Sequence, residues 1–273
     1  MIRALLISLA LCSIAVSAEQ IDVEVAPGAP GKLQLPDGAA PRGAVLLLHG
    51  WNSQMDEVGD LYADLAAALA QQGIASLRFD FTGEGPRANF VVTSTRESRI
   101  LEAEAAYGLL RERVPGVRYG VNGTSLGGLT AMILGQLHPD WFASMALWSA
   151  AGAMRLDGDA AYMNAVRTAL GDGRSVYSTW TEITLTREFL VSWMGVDATP
   201  GMASYPGSLL TIRGTEDYLP SLDAQWLRLT PSEDDAFILI GGADHIFDVL
   251  EQPRPDYGAR AIGHTVDWFA SRL

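Results

Sequence analysis

The sequence has almost no cysteine and almost no lysine. Cys12 is the single cysteine, and it lies in an N-terminal apolar stretch. The rest of the chain therefore has no intrachain disulfide to form and no thiolate set for a zinc or iron–sulfur centre. Lys32 is the lone lysine, so nearly all basic residues are arginine. Positive charge is scarce overall, with a formal net charge of −13. That balance argues against nucleic acid and anionic membrane surfaces as partners. Histidine is scarce too: there are only 4, which keeps the search for a general base short. No metal-ligand cluster, phosphate loop or dinucleotide fingerprint is present, so neither a metal nor a cofactor is implied.

What is present suits a large α/β domain. The chain has 273 residues, 48% of them hydrophobic and 19% charged, enough to build a core without covalent staples. Residues 1–18 read as an export signal. Arg3 supplies the positive start, Ala4–Val16 the apolar stretch, and Val16-Ser17-Ala18 a small-residue cleavage site. The apolar stretch is short for a bilayer span, so a periplasmic or secreted protein with no stable membrane span after cleavage is expected.

Past two short strand-like runs, Ile21–Val25 and Lys32–Leu35, the chain alternates. Ala44–Leu48, Ile74–Phe79, Val117–Val121 and Phe142–Trp148 are apolar runs of strand length, and amphipathic helical patterns separate them. A capping box at Ser94 and Glu97 marks the start of one such helix. The alternation predicts a mostly parallel sheet with helices on both faces, the first part of the core covering residues 19–150. Ligands bind such sheets beyond the carboxyl ends of their strands. From 151 to 205 the alternation breaks into a stretch rich in Met154, Tyr162, Met163, Tyr177, Trp180, Trp193 and Met194. It is expected to be a helical lid inserted over the strand ends, the alternative being ordinary connecting helices. The sheet resumes over 206–273, with strands Ser208–Ile212 and Phe237–Ile240 and a closing amphipathic helix.

The chain is organised around Gly123-Thr124-Ser125-Leu126-Gly127. A strand precedes this turn and a helix follows it, the context of a nucleophile elbow. Gly123 and Gly127 leave room for the tight turn, which would lift the Ser125 hydroxyl above the sheet. A serine needs a base, and the base an orienting carboxylate. His49 precedes the elbow, His138 lies at the far end of its helix, and His264 sits inside the last helix. His245 alone occupies a loop just past a late strand. The acid is expected in a strand-end loop between serine and histidine, where Asp217 stands, with Glu216 and Asp223 as competitors. Asp244 adjoins the histidine too closely to turn back onto its ring. Two backbone donors, Leu126 N–H and Trp51 N–H, are the candidates for an oxyanion hole. His49 is then expected to hold the Trp51 loop by a side-chain hydrogen bond.

Leu48-His49-Gly50-Trp51, Arg78-Phe79-Asp80-Phe81-Thr82-Gly83-Glu84-Gly85, the Ser125 turn, Gly214-Thr215-Glu216-Asp217 and Gly242-Ala243-Asp244-His245 together resemble the ordered signatures of α/β-hydrolase fold serine hydrolases. Among these the chain is similar to small lid-bearing esterases of the cinnamoyl/feruloyl esterase and serine aminopeptidase-like groups. The resemblance implies Ser125, Asp217 and His245 as a catalytic triad, with Trp51 and Leu126 as oxyanion donors. It also implies a small-molecule ester substrate, which the Met- and Trp-rich stretch suggests has an apolar or aromatic acyl group. Peptidase or thioesterase chemistry on the same scaffold is the alternative, and a non-catalytic binding protein a more distant one. One departure is Glu84, where many relatives have histidine. The oligomeric state is not legible.

Overall fold

The computed structural model describes residues 19–38, 40–154, 158–179 and 181–273. The export segment expected over residues 1–18, Cys12 included, and Trp180 lie outside the described residues. Strands β1 (Gln20–Ala26) and β2 (Ala29–Gln34) open the chain, followed by β3 (Gly43–Leu48), α1 (Leu61–Gln71) and β4 (Ile74–Phe79). The short β5 (Val91–Val92) precedes α2 (Arg96–Arg113), β6 (Arg118–Thr124), α3 (Leu126–Leu137) and β7 (Ser144–Trp148). Then come α4 (Ala160–Asp172), β8 (Arg174–Ser178), β9 (Glu182–Thr186) and α5 (Arg187–Trp193). The chain closes with β10 (Ser208–Gly214), α6 (Asp223–Leu229), β11 (Asp235–Ile240) and α7 (Tyr257–Ala270).

The main sheet is 8-stranded in the order β1-β2-β4-β3-β6-β7-β10-β11. β2 pairs antiparallel with β1 and with β4, and every neighbouring pair from β4 to β11 is parallel. All residues of β3 are buried, which explains why its apolar run shows no alternation: both faces are covered. α1 and α7 pack on one face. α2, α3 and the 151–205 stretch pack on the other, around Leu126, Leu129, Phe189 and Trp193. Each leucine withdrawn from water in these layers stabilises by roughly 2 kcal/mol. Parallel pairing brings the loops after β3, β4, β6, β7, β10 and β11 to one rim. Among the described residues no helix is long and apolar enough to cross a membrane.

Two expectations shift on contact with the structure. The cap of α2 falls one residue later than Ser94, at Thr95, whose hydroxyl accepts from Ser98 N–H in a reciprocal pair. Ser94 is taken elsewhere, its hydroxyl donating to Glu84. The 151–205 stretch, expected to be helical, is part helix and part hairpin. α4 stops at Gly173, with φ +97, and β8 and β9 pair antiparallel. Val176, Ile183 and Thr184 are β-branched, and burial alternates along β8. That period of two is the strand signal. β9 also pairs parallel with β5, which ties this stretch to the loop after β4. Thr186 Oγ1 donates to Val92 O at 2.5 Å, and Arg96 N donates to Ser192 Oγ at 3.0 Å. Phe189, Leu190 and Trp193 of α5 are fully buried.

Candidate active site

β6 runs into α3 through Ser125, whose backbone has φ 51 and ψ −115. A non-glycine residue there is strained, and the surrounding structure must hold it. A Cβ at Gly123 would lie 2.4 Å from Gly127 O, and one at Gly127 would lie 1.9 Å from Leu48 O. Neither position admits a side chain while the turn stays this tight. Ser125 N donates to Trp148 O at 2.9 Å, and Ala151 N donates to Ser125 O at 3.1 Å, fastening the elbow to the end of β7.

The three side chains singled out by the sequence meet at this rim. His245 Nε2 lies 3.0 Å from Ser125 Oγ, and His245 Nδ1 lies 2.7 Å from Asp217 Oδ1. The Asp217 carboxylate can only accept, so Nδ1 carries the proton and Nε2 is free to accept from the serine hydroxyl. Asp217 Oδ1 also accepts from Leu219 N at 2.9 Å, and its Oδ2 accepts from Arg213 at 2.5 Å. Burial by itself raises the Asp217 carboxyl. The His245 bond and charge, the Leu219 N–H and the Arg213 cation outweigh it and hold the group below the ordinary aspartate range. The ring of Tyr218 covers His245, with centroids 4.5 Å apart. Of the competing carboxylates, Glu216 is exposed, Asp244 is bonded to the N–H groups of Ile246 and Asp248, and Asp223 is buried against Arg213.

The loop after β3 also approaches the serine: a Cβ at Gly50 would lie 3.5 Å from Ser125 Cβ. His49 Nδ1 donates to Gly50 O at 2.7 Å, and its Nε2 accepts from Phe81 N at 3.0 Å. His49 thus grips the carbonyl end of the peptide unit whose other end is Trp51 N–H. Burial, then the Arg99 cation, lower its pKa to about 4, so the ring is neutral. Gly50 N donates to Glu57 Oε2 at 2.6 Å, and Asn52 N donates to Glu84 Oε2 at 2.7 Å. Glu84 also pairs with Arg99 at 2.5 Å with both side chains buried, and Arg99 donates onward to His49 O at 2.7 Å. Burial would raise the Glu84 carboxyl, but Arg99 and the other donors bring it below the usual range. Among the described residues, neither Trp51 N–H nor Leu126 N–H has an acceptor. Both are therefore available as donors beside the serine, Leu126 at the N-terminus of α3. The Trp51 indole stacks on Phe189, with centroids 5.9 Å apart.

Three supporting residues escaped the sequence reading: Glu57, Arg99 and Arg213. In the sequence Glu84 stands out only as a departure from relatives. Its acidic character matches a buried arginine from α2, a pairing without local signature.

The family profile described as "Serine aminopeptidase, S33" matches residues 39–254. Esterase EstD of Thermotoga maritima is 32% identical over 117 residues, which is 41% of this chain and 28% of that protein. Putative esterase NocK of Nocardia uniformis subsp. tsuyamanensis is 31% identical over 130 residues, 45% of this chain and 36% of that protein. The matched stretches thus span 28% and 36% of these relatives' own lengths. Among solved structures, ferulic acid-bound Est1E from Butyrivibrio proteoclasticus superposes with a TM-score of 0.71 at 14% identity, covering 89% of this chain and 95% of that one. A monoacylglycerol lipase from Paleococcus ferrophilus gives 0.65 at 18% identity, covering 94% of this chain and 100% of that one. The chain has the α/β-hydrolase fold and belongs to the serine aminopeptidase S33 family.

Proposed function

We propose that the protein is an exported serine hydrolase that cleaves carboxylic esters through an acyl-enzyme on Ser125. The observation that carries this reading is the unbroken chain Asp217–His245–Ser125, at 2.7 and 3.0 Å, ending beside two unpaired N–H groups. His245 takes the serine proton as Oγ attacks the ester carbonyl, and Asp217 stabilises the imidazolium. The N–H groups of Trp51 and Leu126 receive the oxyanion. His245 then returns its proton to the leaving alcohol and activates water to release the acid. The names of the two esterase relatives support ester over amide.

The acyl group is apolar or aromatic in this reading, held against Trp51, which Phe189 backs, and Tyr218 under the 151–205 stretch acting as a lid. The ferulic acid carried by Est1E supports the aromatic form. The N-terminal charge and apolar pattern support export to the periplasm or beyond. The family description favours a second reading, an aminopeptidase. Purified protein offered p-nitrophenyl esters beside aminoacyl-naphthylamides separates the two, and faster ester turnover is expected. Fluorophosphonate should label Ser125, and a binding protein without activity would not react. Ser125→Ala should lower turnover by roughly a thousandfold or more and abolish labelling while the thermal melt stays cooperative. A Ser125→Ala protein within tenfold of wild type overturns the reading.

A further inference from the structure

Asp223 competes by sequence for the acid's place, and the structure gives it neither His245 nor solvent. It is fully buried at the start of α6. Its Oδ2 accepts from Arg213 Nε at 2.6 Å and from Ser221 Oγ at 2.8 Å, while its Oδ1 has no hydrogen-bond partner among the described residues. Arg213 is buried as well. Its remaining nitrogens donate to Asp217 Oδ2 at 2.5 Å and to Ala150 O at 2.6 Å. A buried ion cluster of this kind adds little or nothing to stability over apolar packing. An incompletely bonded carboxylate makes it worse, so the cluster calls for another explanation.

Its charge supplies one. One guanidinium stands between two carboxylates, which leaves a net charge of about −1 while His245 is neutral. Arg213 alone would cancel the Asp217 charge at the very group meant to attract the imidazolium. Asp223, on the far side of the guanidinium, cancels Arg213 in turn. When His245 accepts the serine proton, the four groups together become neutral. We propose that Arg213 and Asp223 are positioning residues for the reaction: Arg213 fixes the Asp217 carboxylate in space, and Asp223 restores the negative charge that stabilises imidazolium at His245. This rests on Ser125, Asp217 and His245 acting as proposed above.

Other groups near His245 are the Tyr218 ring, the Asp244 carboxylate turned to its own loop, and the buried Glu57, whose carboxyl interacts with the imidazole. These stay constant across the variants that follow, so differences report the Arg213–Asp223 pair. The test is kcat/KM against pH for a neutral ester, for wild type, Asp223→Asn, Arg213→Gln and the double variant. In Asp223→Asn the acid limb should move to lower pH by roughly one unit, with kcat down about tenfold and KM within about twofold. In Arg213→Gln the limb should move to higher pH. The double variant restores the charge, so its limb should return close to wild type, although kcat stays reduced because Asp217 has lost its tether. A purely structural role changes melting temperature or kcat but does not produce opposite displacements that cancel. If Asp223→Asn does not fold, Arg213→Gln and the double variant decide alone, since removing the Asp223 charge must lower the limb again. Coincident limbs in variants that fluorophosphonate still labels overturn this inference alone. A wild-type protein that the probe does not label overturns the hydrolase reading and this inference with it.

Discussion

The two sides of Ser125 are built from the same parts and charged differently. Each has a histidine, a buried arginine and buried carboxylates. On the Trp51 side, Arg99 has one carboxylate partner, Glu84, in a closed pair; the Glu57 carboxyl nearby is raised by burial, and the neighbouring His49 is buried until its pKa is about 4. On the His245 side, Arg213 is shared between Asp217 and Asp223, so the carboxylates outnumber the cation. The balanced cluster suits a scaffold that must hold peptide N–H groups still. The unbalanced one suits a base that must accept a proton. The number of carboxylates that each arginine pairs with, rather than residue type, separates a histidine that orients from a histidine that reacts.

Removing the negative charge next to the base tests this contrast most strongly. Asp217→Asn should lower kcat by roughly a thousandfold to ten thousandfold with little change in KM, because the amide favours the wrong imidazole tautomer and carries no charge. Steady-state kinetics on a protein whose melt matches wild type would measure it. Retention of a tenth of the activity would mean that the two histidines are not distinguished by their carboxylates.

How much of this was open to sequence depends on how local each feature is. Ser125 with Gly123 and Gly127 is a turn within a few residues, and its strand and helix flank it directly. Asp217 and His245 were legible because each lies in a loop at the end of an apolar strand, and the parallel sheet gathers such loops at one rim. The same apolar runs made the sheet itself legible. Glu84 and Arg99 were not, because β4 and α2 bring them together only after the strand order β4-β3-β6 is set. Glu57 was hidden for a different reason. It adopts φ 61 to reach Gly50 N–H, a conformation that no residue preference announces. The β8–β9 hairpin was legible in principle, since Val176, Ile183 and Thr184 are strand-forming, but the Met, Trp and Tyr around them read as helix.

The balanced cluster makes a prediction of intermediate size. Glu84→Gln leaves Arg99 buried without its counter-charge and should destabilise the fold by about 3–5 kcal/mol in a urea or thermal melt. It should also slow turnover by roughly tenfold, since the anchor next to Trp51 is weakened. One amide oxygen must there replace two carboxylate oxygens, which accept from Asn52 N–H on one side and from Ser94 and Arg99 on the other. Adding Arg99→Met removes the stranded charge and should recover most of the lost stability. Nothing comparable is expected of Asp217→Asn, where activity collapses and the fold persists. If Glu84→Gln proves stable and Asp217→Asn unstable, the division of labour between the two sides is reversed.

The smallest effect concerns the histidine that must not charge. His49 needs Nδ1–H to hold Gly50 O and a bare Nε2 to accept from Phe81 N–H. An imidazolium has two donors and no acceptor, so protonation would break the second bond and loosen the peptide that presents Trp51 N–H. The ordinary pKa of 6.5 applies in the unfolded chain, against about 4 when folded. Between those values the unfolded chain binds a proton that the folded chain refuses. Stability therefore falls as pH drops from about 6.5 to about 4, by roughly 3 kcal/mol at most, and His49 adds no further loss below that window. Glutamine keeps one donor and one acceptor without titrating. Chemical denaturation at pH 7.5 and 4.5 should show His49→Gln less stable than wild type at the higher pH, yet losing less stability between the two. Equal losses would mean that His49 takes up protons in the folded protein, and the contrast between a silent and a working histidine would then have no electrostatic basis.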